Sequence, residues 1–287
     1  MKSIVLVLLL ALSACTAPLP QWQGSEGLDH PHVGQVWVAA EQRWISPQSL
    51  VERLAAAPYV VVGEQHDNPD HHRLQLWLLQ QLQAARPQQS LLLEMLQPAQ
   101  QSAVTALQGG ALPDDEALQT HLEWQAGWDW EMYGPLIRWG LTVPSQLLAA
   151  NLESDRMMAL YRAPQPLDER YTADARRQLS DTIEASHCGR IDAQQVQAML
   201  SIQQARDQAM AAALAGAPVP ALLLAGNYHA RRDLGAPLHW PAHQVPPLVL
   251  QLQEVGDAPL PSAQQADYLW LTPAMPARDY CADWGAD

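Results

Sequence analysis

Apolar residues in this chain fall into short unbroken runs, separated by longer stretches with helical spacing. Tyr59-Val60-Val61-Val62, Leu91-Leu92-Leu93 and Leu222-Leu223-Leu224-Ala225 have no polar alternation, the pattern of strands buried on both faces. Leu147 to Ala150, Val245 to Leu252 and Tyr268 to Leu271 predict three further strands. Val33 to Val38 and Arg43 to Ile45 flank polar residues as a small hairpin. Between the runs, Leu74, Trp77, Leu78 and Leu82 share one face of a helix that opens at Asn68-Pro69 and ends before Pro87. Ser46-Pro47 and Pro98 open two more helices.

From Ser154 to Ala215 the strand signal disappears and helical segments repeat, the longest from about Asp192 to Ala213. The expected architecture is therefore α/β: a mostly parallel sheet flanked by helices, with a helical insertion, or lid, at about 154–215. One domain over 33–287 accommodates all of it, and no solenoid period appears.

The N-terminus reads differently. Lys2 precedes nine mostly apolar residues, Ile4 to Leu12, too few to span a bilayer but suited to a signal peptide. Leu12-Ser13-Ala14-Cys15 looks like a bacterial lipobox, with residues 1–14 removed and Cys15 acylated. The alternative is an ordinary cleaved signal with an incidental cysteine; position, apolar run and tetrapeptide together favour the lipobox. Thr16 in place of Asp, by resemblance to other lipoproteins, directs such a protein to the outer membrane. Residues 15–32, rich in Pro, Gly and Gln, read as a lipid-anchored tether.

Composition narrows the partners. The formal net charge of the 287 residues is −14, and Lys2 is the only lysine among 16 basic residues. Nucleic acid is excluded as a partner, because a phosphate lattice is held by clustered cations. Contact with a membrane is through the lipid anchor only. Outside the reducing cytosol, Cys188 and Cys281 are either a disulfide or two buried thiols.

Two of the buried strands end alike, one in Gly63-Glu64-Gln65-His66 and the other in Gly226-Asn227-Tyr228-His229. A third delivers Glu94. In open α/β sheets ligands sit beyond the carboxyl ends of the strands, so Glu64, His66, Glu94, Asn227 and His229 are expected to line one pocket. Such a set serves a transition metal or acid–base chemistry. His72 is read as pocket-facing and His71 as solvated. Gln203, Arg206 and Met210 share a face of the long helix, where the arginine either pairs with a buried carboxylate or lines the pocket. Arg231 and Arg232 either bind an anionic ligand or pair with Asp233. Trp124, Trp128, Trp130 and Trp139 with Tyr133 form core, or a flat wall for a porphyrin.

These strings together resemble a known family. Gly63-Glu64-Gln65-His66-Asp67-Asn68-Pro69 with His71-His72, then Leu93-Glu94-Met95, is similar to the opening of the ChaN-like haem-binding uptake lipoproteins. The similarity continues through His187-Cys188, Gln204-Ala205-Arg206-Asp207-Gln208-Ala209-Met210-Ala211 and Gly226-Asn227-Tyr228-His229 to Arg232-Asp233-Leu234-Gly235-Ala236-Pro237. The resemblance implies a sheet core with a helical subdomain and an outer-membrane protein of haem or iron uptake, binding and transporting rather than catalysing. It also implies haem held by a tyrosine on iron, basic side chains on the propionates, a haem-induced homodimer and an outer-membrane haem receptor as partner.

Tyr133, Tyr171 and Tyr228 are the candidate ligands, with His72, Arg206 and Arg231 as further haem-binding residues. The family often carries Gly where this chain has Tyr228. More distantly, the chain resembles erythromycin esterases and TIKI-type metalloproteases, which share the Gly-x-x-His turns and an acidic partner. The rival reading is thus a periplasmic or cell-surface hydrolase, metal-dependent or using His66 with Glu64 and Glu94.

Overall fold

The computed structural model describes residues 17–282. Residues 1–16, on which the expected signal peptide and Cys15 fall, lie outside the described residues. In chain order the elements are β1 (Val36–Val38), β2 (Arg43–Ile45), α1 (Pro47–Ala55), β3 (Tyr59–Glu64), α2 (Pro69–Ala85) and β4 (Ser90–Leu93). Next come α3 (Gln101–Leu107), α4 (Asp115–His121), α5 (Trp130–Thr142) and β5 (Gln146–Ala149). The chain ends with α6 (Ser154–Arg162), α7 (Ala173–Ser186), α8 (Ala193–Gly216), β6 (Ala221–Gly226), α9 (Asn227–Ala230), β7 (Leu248–Glu254) and β8 (Tyr268–Thr272).

Among the described residues the strands form one sheet in the order β2-β1-β8-β7-β3-β6-β4-β5. All pairs from β8 to β5 are parallel, and the β1–β2 hairpin adds two antiparallel strands at the β8 edge. The unbroken apolar runs are explained by what each face meets. Val60, Val62, Leu91, Leu93, Leu222 and Leu224 point into the larger core with α1, α2 and α5. Val61, Leu92, Leu223 and Val249, from intervening positions, meet Met210, Ala211 and Leu214 of α8 on the other face. Adjacent side chains of a strand leave by opposite faces, so a strand covered twice needs apolar residues throughout.

The helical insertion carries its own small core, where Leu167, Tyr171, Ala175, Leu179, Val196 and Leu200 close around Leu234. Helix α8 runs from that core to the sheet. Cys188, at the tip between α7 and α8, is disulfide-bonded to Cys281, which resolves the two readings of this pair.

The segment expected to be a tether is, from Ala17 onward, laid along the body. Trp77 Nε1 donates to the Ala17 carbonyl and Arg73 to that of Gln21, while the Gln23 and Gly24 amides donate to the Asp70 carboxylate. Leu19 and Trp22 pack on the larger core. Pro and Gln are polar-loop signals, but these alternate with apolar residues that have a surface to cover. No helix among the described residues is long and apolar enough to cross a membrane.

Candidate functional site

β3, β6 and β4 lie side by side, so their carboxyl ends deliver Glu64, Gly226 and Glu94 to one edge. Beyond that edge opens a crevice of about 1050 Å³, walled by Gln178, Gln203 and Arg206 of the insertion and by the end of β7 with the loop that follows it, from Gln253 to Pro261. Its floor is a set of charged pairs.

Glu64 is buried, and its Oε1 accepts from the Tyr133 hydroxyl at 2.9 Å and from His66 Nδ1 at 2.7 Å. The other His66 nitrogen, Nε2, faces the Glu94 carboxylate at 3.9 Å. Burial opposes charge on His66, but the bond to Glu64 and the fields of Glu94 and Glu64 outweigh it and hold the imidazolium up to about 9. The His66 side chain is 45% exposed and so reaches the crevice. Trp128 meets its ring edge-on, with centroids 5.0 Å apart.

Glu94 is fully buried. Arg206 Nη2 donates to Oε1 at 2.5 Å and the Gly226 amide to Oε2 at 2.7 Å. Burial alone would raise its pKa; His229, Arg206, His66 and the Gly226 N–H together lower it to about 2. Arg206 Nε also donates to Asn151 Oδ1, whose amide donates to the Glu94 carbonyl, so α8 is tied to the ends of β4 and β5. Both sequence readings of Arg206 hold, because it pairs with a buried carboxylate and lines the crevice.

His229 repeats the His66 arrangement from the opposite wall. Its Nδ1 donates to Asp207 Oδ1 at 2.6 Å, and Nε2 lies 3.6 Å from Glu94 Oε1. Asp207 is buried, which pushes its carboxyl up against the pull of His229. The two glycines are required by packing. A Cβ on Gly63 would come within 2.5 Å of Asn227 Oδ1, and one on Gly226 within 2.9 Å of the His66 ring. Asn227 lines the crevice and donates to the Leu252 carbonyl, holding α9 against β7.

Of the expected pocket set, Glu64, His66, Asn227 and His229 line the crevice, while Glu94 lies buried behind them on Arg206 and the Gly226 amide. Other placements differ from expectation. His71, read as solvated, is fully buried: its Nδ1 accepts from the Gln65 amide and its Nε2 donates to Thr272 Oγ1. His72, read as pocket-facing, lies beneath the site, donates to the His66 carbonyl and packs edge-on against Tyr133. Both follow from the first turn of α2 being tucked under the β3 loop rather than over water. Met210 belongs to the core on the α8 face. The tryptophans pack on the larger core around Tyr133 and do not wall the crevice; only Trp128 touches a floor residue.

The three tyrosines fare differently. Tyr133 is buried with its hydroxyl on Glu64, and Tyr171 is buried in the insertion with its hydroxyl on His239. Burial first, and then Glu64 for Tyr133 and Asp207 for Tyr171, push both phenols far above their usual value. Tyr228 is 42% exposed and lines the crevice. Arg231 lines the crevice too, but is paired with Asp233 and bonded to Gln178. Arg232 is paired with Asp267.

Sequence reasoning did not assign Asp207 to His229, or the wall at 253–261. An adjacent Arg-Asp pair within a helix otherwise of Gln, Ala and apolar residues was the available signal for the first. Nothing local marks the second, because a loop's reach across a sheet edge is a tertiary property. Among the described residues no group of three His, Cys, Asp or Glu side chains is arranged to hold one metal ion.

Comparison with known proteins places the fold in a family. The family described as "Haem-binding uptake, Tiki superfamily, ChaN" matches residues 50–239. Among solved structures, ChaN of Campylobacter jejuni, whose structure is described as showing cofacial haem binding, is similar over 82% of this chain and 95% of that one, with a TM-score of 0.73 and 26% identity. A mutant of the erythromycin esterase EreC in its open conformation covers 77% of each chain at 12% identity and a TM-score of 0.45. No curated protein sequence matches the chain at a significant level.

Proposed function

Since this chain belongs to the haem-binding uptake family of the Tiki superfamily, ChaN, we propose that it binds haem as cargo at the mouth of the crevice, through Tyr228. The observation that carries this assignment is the exposure of that phenol. Ferric haem takes a tyrosinate as axial ligand, which requires a hydroxyl that can lose its proton and meet the iron. Tyr133 and Tyr171 are buried, bonded and held protonated, whereas Tyr228 is exposed beside the crevice.

The residues fit a dianionic porphyrin. His66 stays protonated through neutral pH and reaches the crevice, and Arg231 stands on its wall. Arg206 is held by fully buried Glu94 and Arg232 does not line the crevice, so His66 and Arg231, whose partner Asp233 is itself partly exposed, are the cations offered to the propionates. Haem on an exposed tyrosine keeps one face uncovered. The cofacial arrangement described for Campylobacter jejuni ChaN then supports a homodimer of this protein, with two haems stacked between copies.

The remainder of the reading concerns place and role. Leu12-Ser13-Ala14-Cys15 with Thr16 supports a lipid anchor in the outer membrane, and the Cys188–Cys281 bond supports an oxidising compartment. There the protein takes part in iron uptake, exchanging haem with an outer-membrane haem receptor. Titrating haem into the purified protein tests the reading: a saturable Soret shift supports it, and an unshifted, non-saturable spectrum overturns it.

A further inference from the structure

The amino edge of the sheet, opposite the crevice, has an unexpected surface for so acidic a chain. β3, β4, β5, β6 and β7 are parallel, so the connections leading into them lie along one edge. That edge is one strand length from the crevice, about 20 Å along β3 or β6. The connections are Ala56-Ala57-Pro58, Arg86-Pro87-Gln88-Gln89, Val143-Pro144-Ser145, Ala217-Pro218-Val219-Pro220 and Trp240 to Pro247. None contains an aspartate or glutamate, although the chain has 30. Val143, Val219 and Val245 are 37, 46 and 61% exposed, and Pro87, Pro218 and Pro246 are exposed with them. Tyr59, at the start of β3, and Trp240 are half-buried there and meet edge to face at 4.9 Å. At the β8 end of the same edge, Glu41 is paired with Arg43 and Arg53, and Asp267 with Arg232. The crevice, by contrast, is lined by Asp67, Glu254 and Asp257.

The N-terminal segment leads towards this edge. Helix α2 begins after β3, at the crevice edge, and ends before β4, at the amino edge. Along it the Gln23 amide donates to Asp70, Arg73 to the Gln21 carbonyl and Trp77 to the Ala17 carbonyl. Traced back from Gln23 to Ala17, the segment therefore descends the helix away from the crevice. From Trp77 to the end of α2 at Ala85 is about 12 Å. Cys15 precedes Ala17 by two residues, a reach of about 7 Å. A lipid on Cys15 thus holds the bilayer against the body, with no slack for a tether.

We propose that the amino edge of the sheet is a membrane-docking surface, which rests on a phospholipid bilayer and turns the haem crevice to the aqueous side. The inference rests on the reading of Cys15 as the lipid anchor and adds a contact beyond the anchor itself. Exposed valines gain by leaving water, and a cluster of exposed apolar residues marks a surface that meets a partner. Trp240 and Tyr59 are the residue types that settle at headgroup depth. An edge without unpaired acids in its connections meets an anionic leaflet without repulsion, whereas the carboxylates around the crevice are driven from it.

The test uses the lipidated full chain in vesicles of phosphatidylethanolamine and phosphatidylglycerol. Photoreactive p-benzoylphenylalanine replaces Val219, Val245 or, as the crevice control, Tyr228 in three separate proteins. All three positions are exposed, so the core is undisturbed. Flotation of the vesicles in a density gradient reports the anchor independently. Irradiation should attach phospholipid to the Val219 and Val245 proteins and leave the Tyr228 protein unlabelled. In a protein that floats, labelling from Tyr228 equal to that from the two valine positions, or no labelling from either valine position, overturns the docking surface while the anchor reading stands. A wild-type chain that does not float overturns the anchor reading and this proposal with it.

Discussion

Gly226 holds the His66 ring in place by leaving room for it: a Cβ at position 226 would stand 2.9 Å from both Cε1 and Nε2 of that imidazole. The glycine ends β6 and the histidine follows β3, so one hydrogen atom on a neighbouring strand sets where the ring can lie. Gly226→Ala should push His66 off Glu64 and cost about 1–3 kcal/mol of stability, as overpacking of a filled site does. It should also lower the His66 pKa from its raised value. Histidine NMR titration together with thermal melts checks both effects.

Two histidines should bend the pH dependence of stability in opposite directions. His66 has a folded pKa raised from 6.5 to about 9, so its contribution is complete below 6.5 and is lost as pH rises through 9. His71 is shifted the other way, well below 6.5, by burial and then by His72, so its contribution is present above 6.5 and is lost as pH falls. Melting temperatures from pH 4 to 10 should trace both limbs, and His66→Gln should flatten the alkaline one.

Arg206→Ala should destabilise the fold by about 3–5 kcal/mol, because Glu94 would remain buried with its nearest cation removed. Glu94→Gln added to that variant should recover much of the loss, since a neutral amide costs less to bury. Denaturant unfolding of the two variants and the wild type provides the comparison.

The Cys188–Cys281 bond closes a loop with a sequence separation of 93 and fastens the tip of the helical insertion to the C-terminal segment. Constraint of so long a loop in the unfolded chain is worth about 4–5 kcal/mol in the loop-entropy account. Cys188→Ser or Cys281→Ser should lower the melting temperature accordingly. The loss should be smaller if the C-terminal segment stays ordered in the unfolded ensemble.

Where the chain could be read, local chemistry explains why. Val60-Val61-Val62 and Leu222-Leu223-Leu224 are covered on both faces, so their burial is written residue by residue, and the Gly turns after them mark the sheet edge. Asn68-Pro69 caps α2 as its residue types demand. The misread residues depend on what packs above them. His71 and His72 look solvated or pocket-facing at a helix start, but the loop after β3 and Thr272 of β8 close over them. Likewise Asp207 becomes the partner of His229, 22 residues later in the chain, only when α8 packs beside β6 and the α9 turn that follows it. Strand content was legible from spacing, whereas pairing across elements was not.

Spectroscopic haem titration of the wild type beside Tyr228→Phe tests the central claim most directly. The account predicts a saturable Soret shift with a tyrosinate-to-iron charge-transfer band in the wild type, and loss of that band in Tyr228→Phe with the fold intact. An unchanged band in Tyr228→Phe, or its loss only in Tyr133→Phe or Tyr171→Phe, would contradict it.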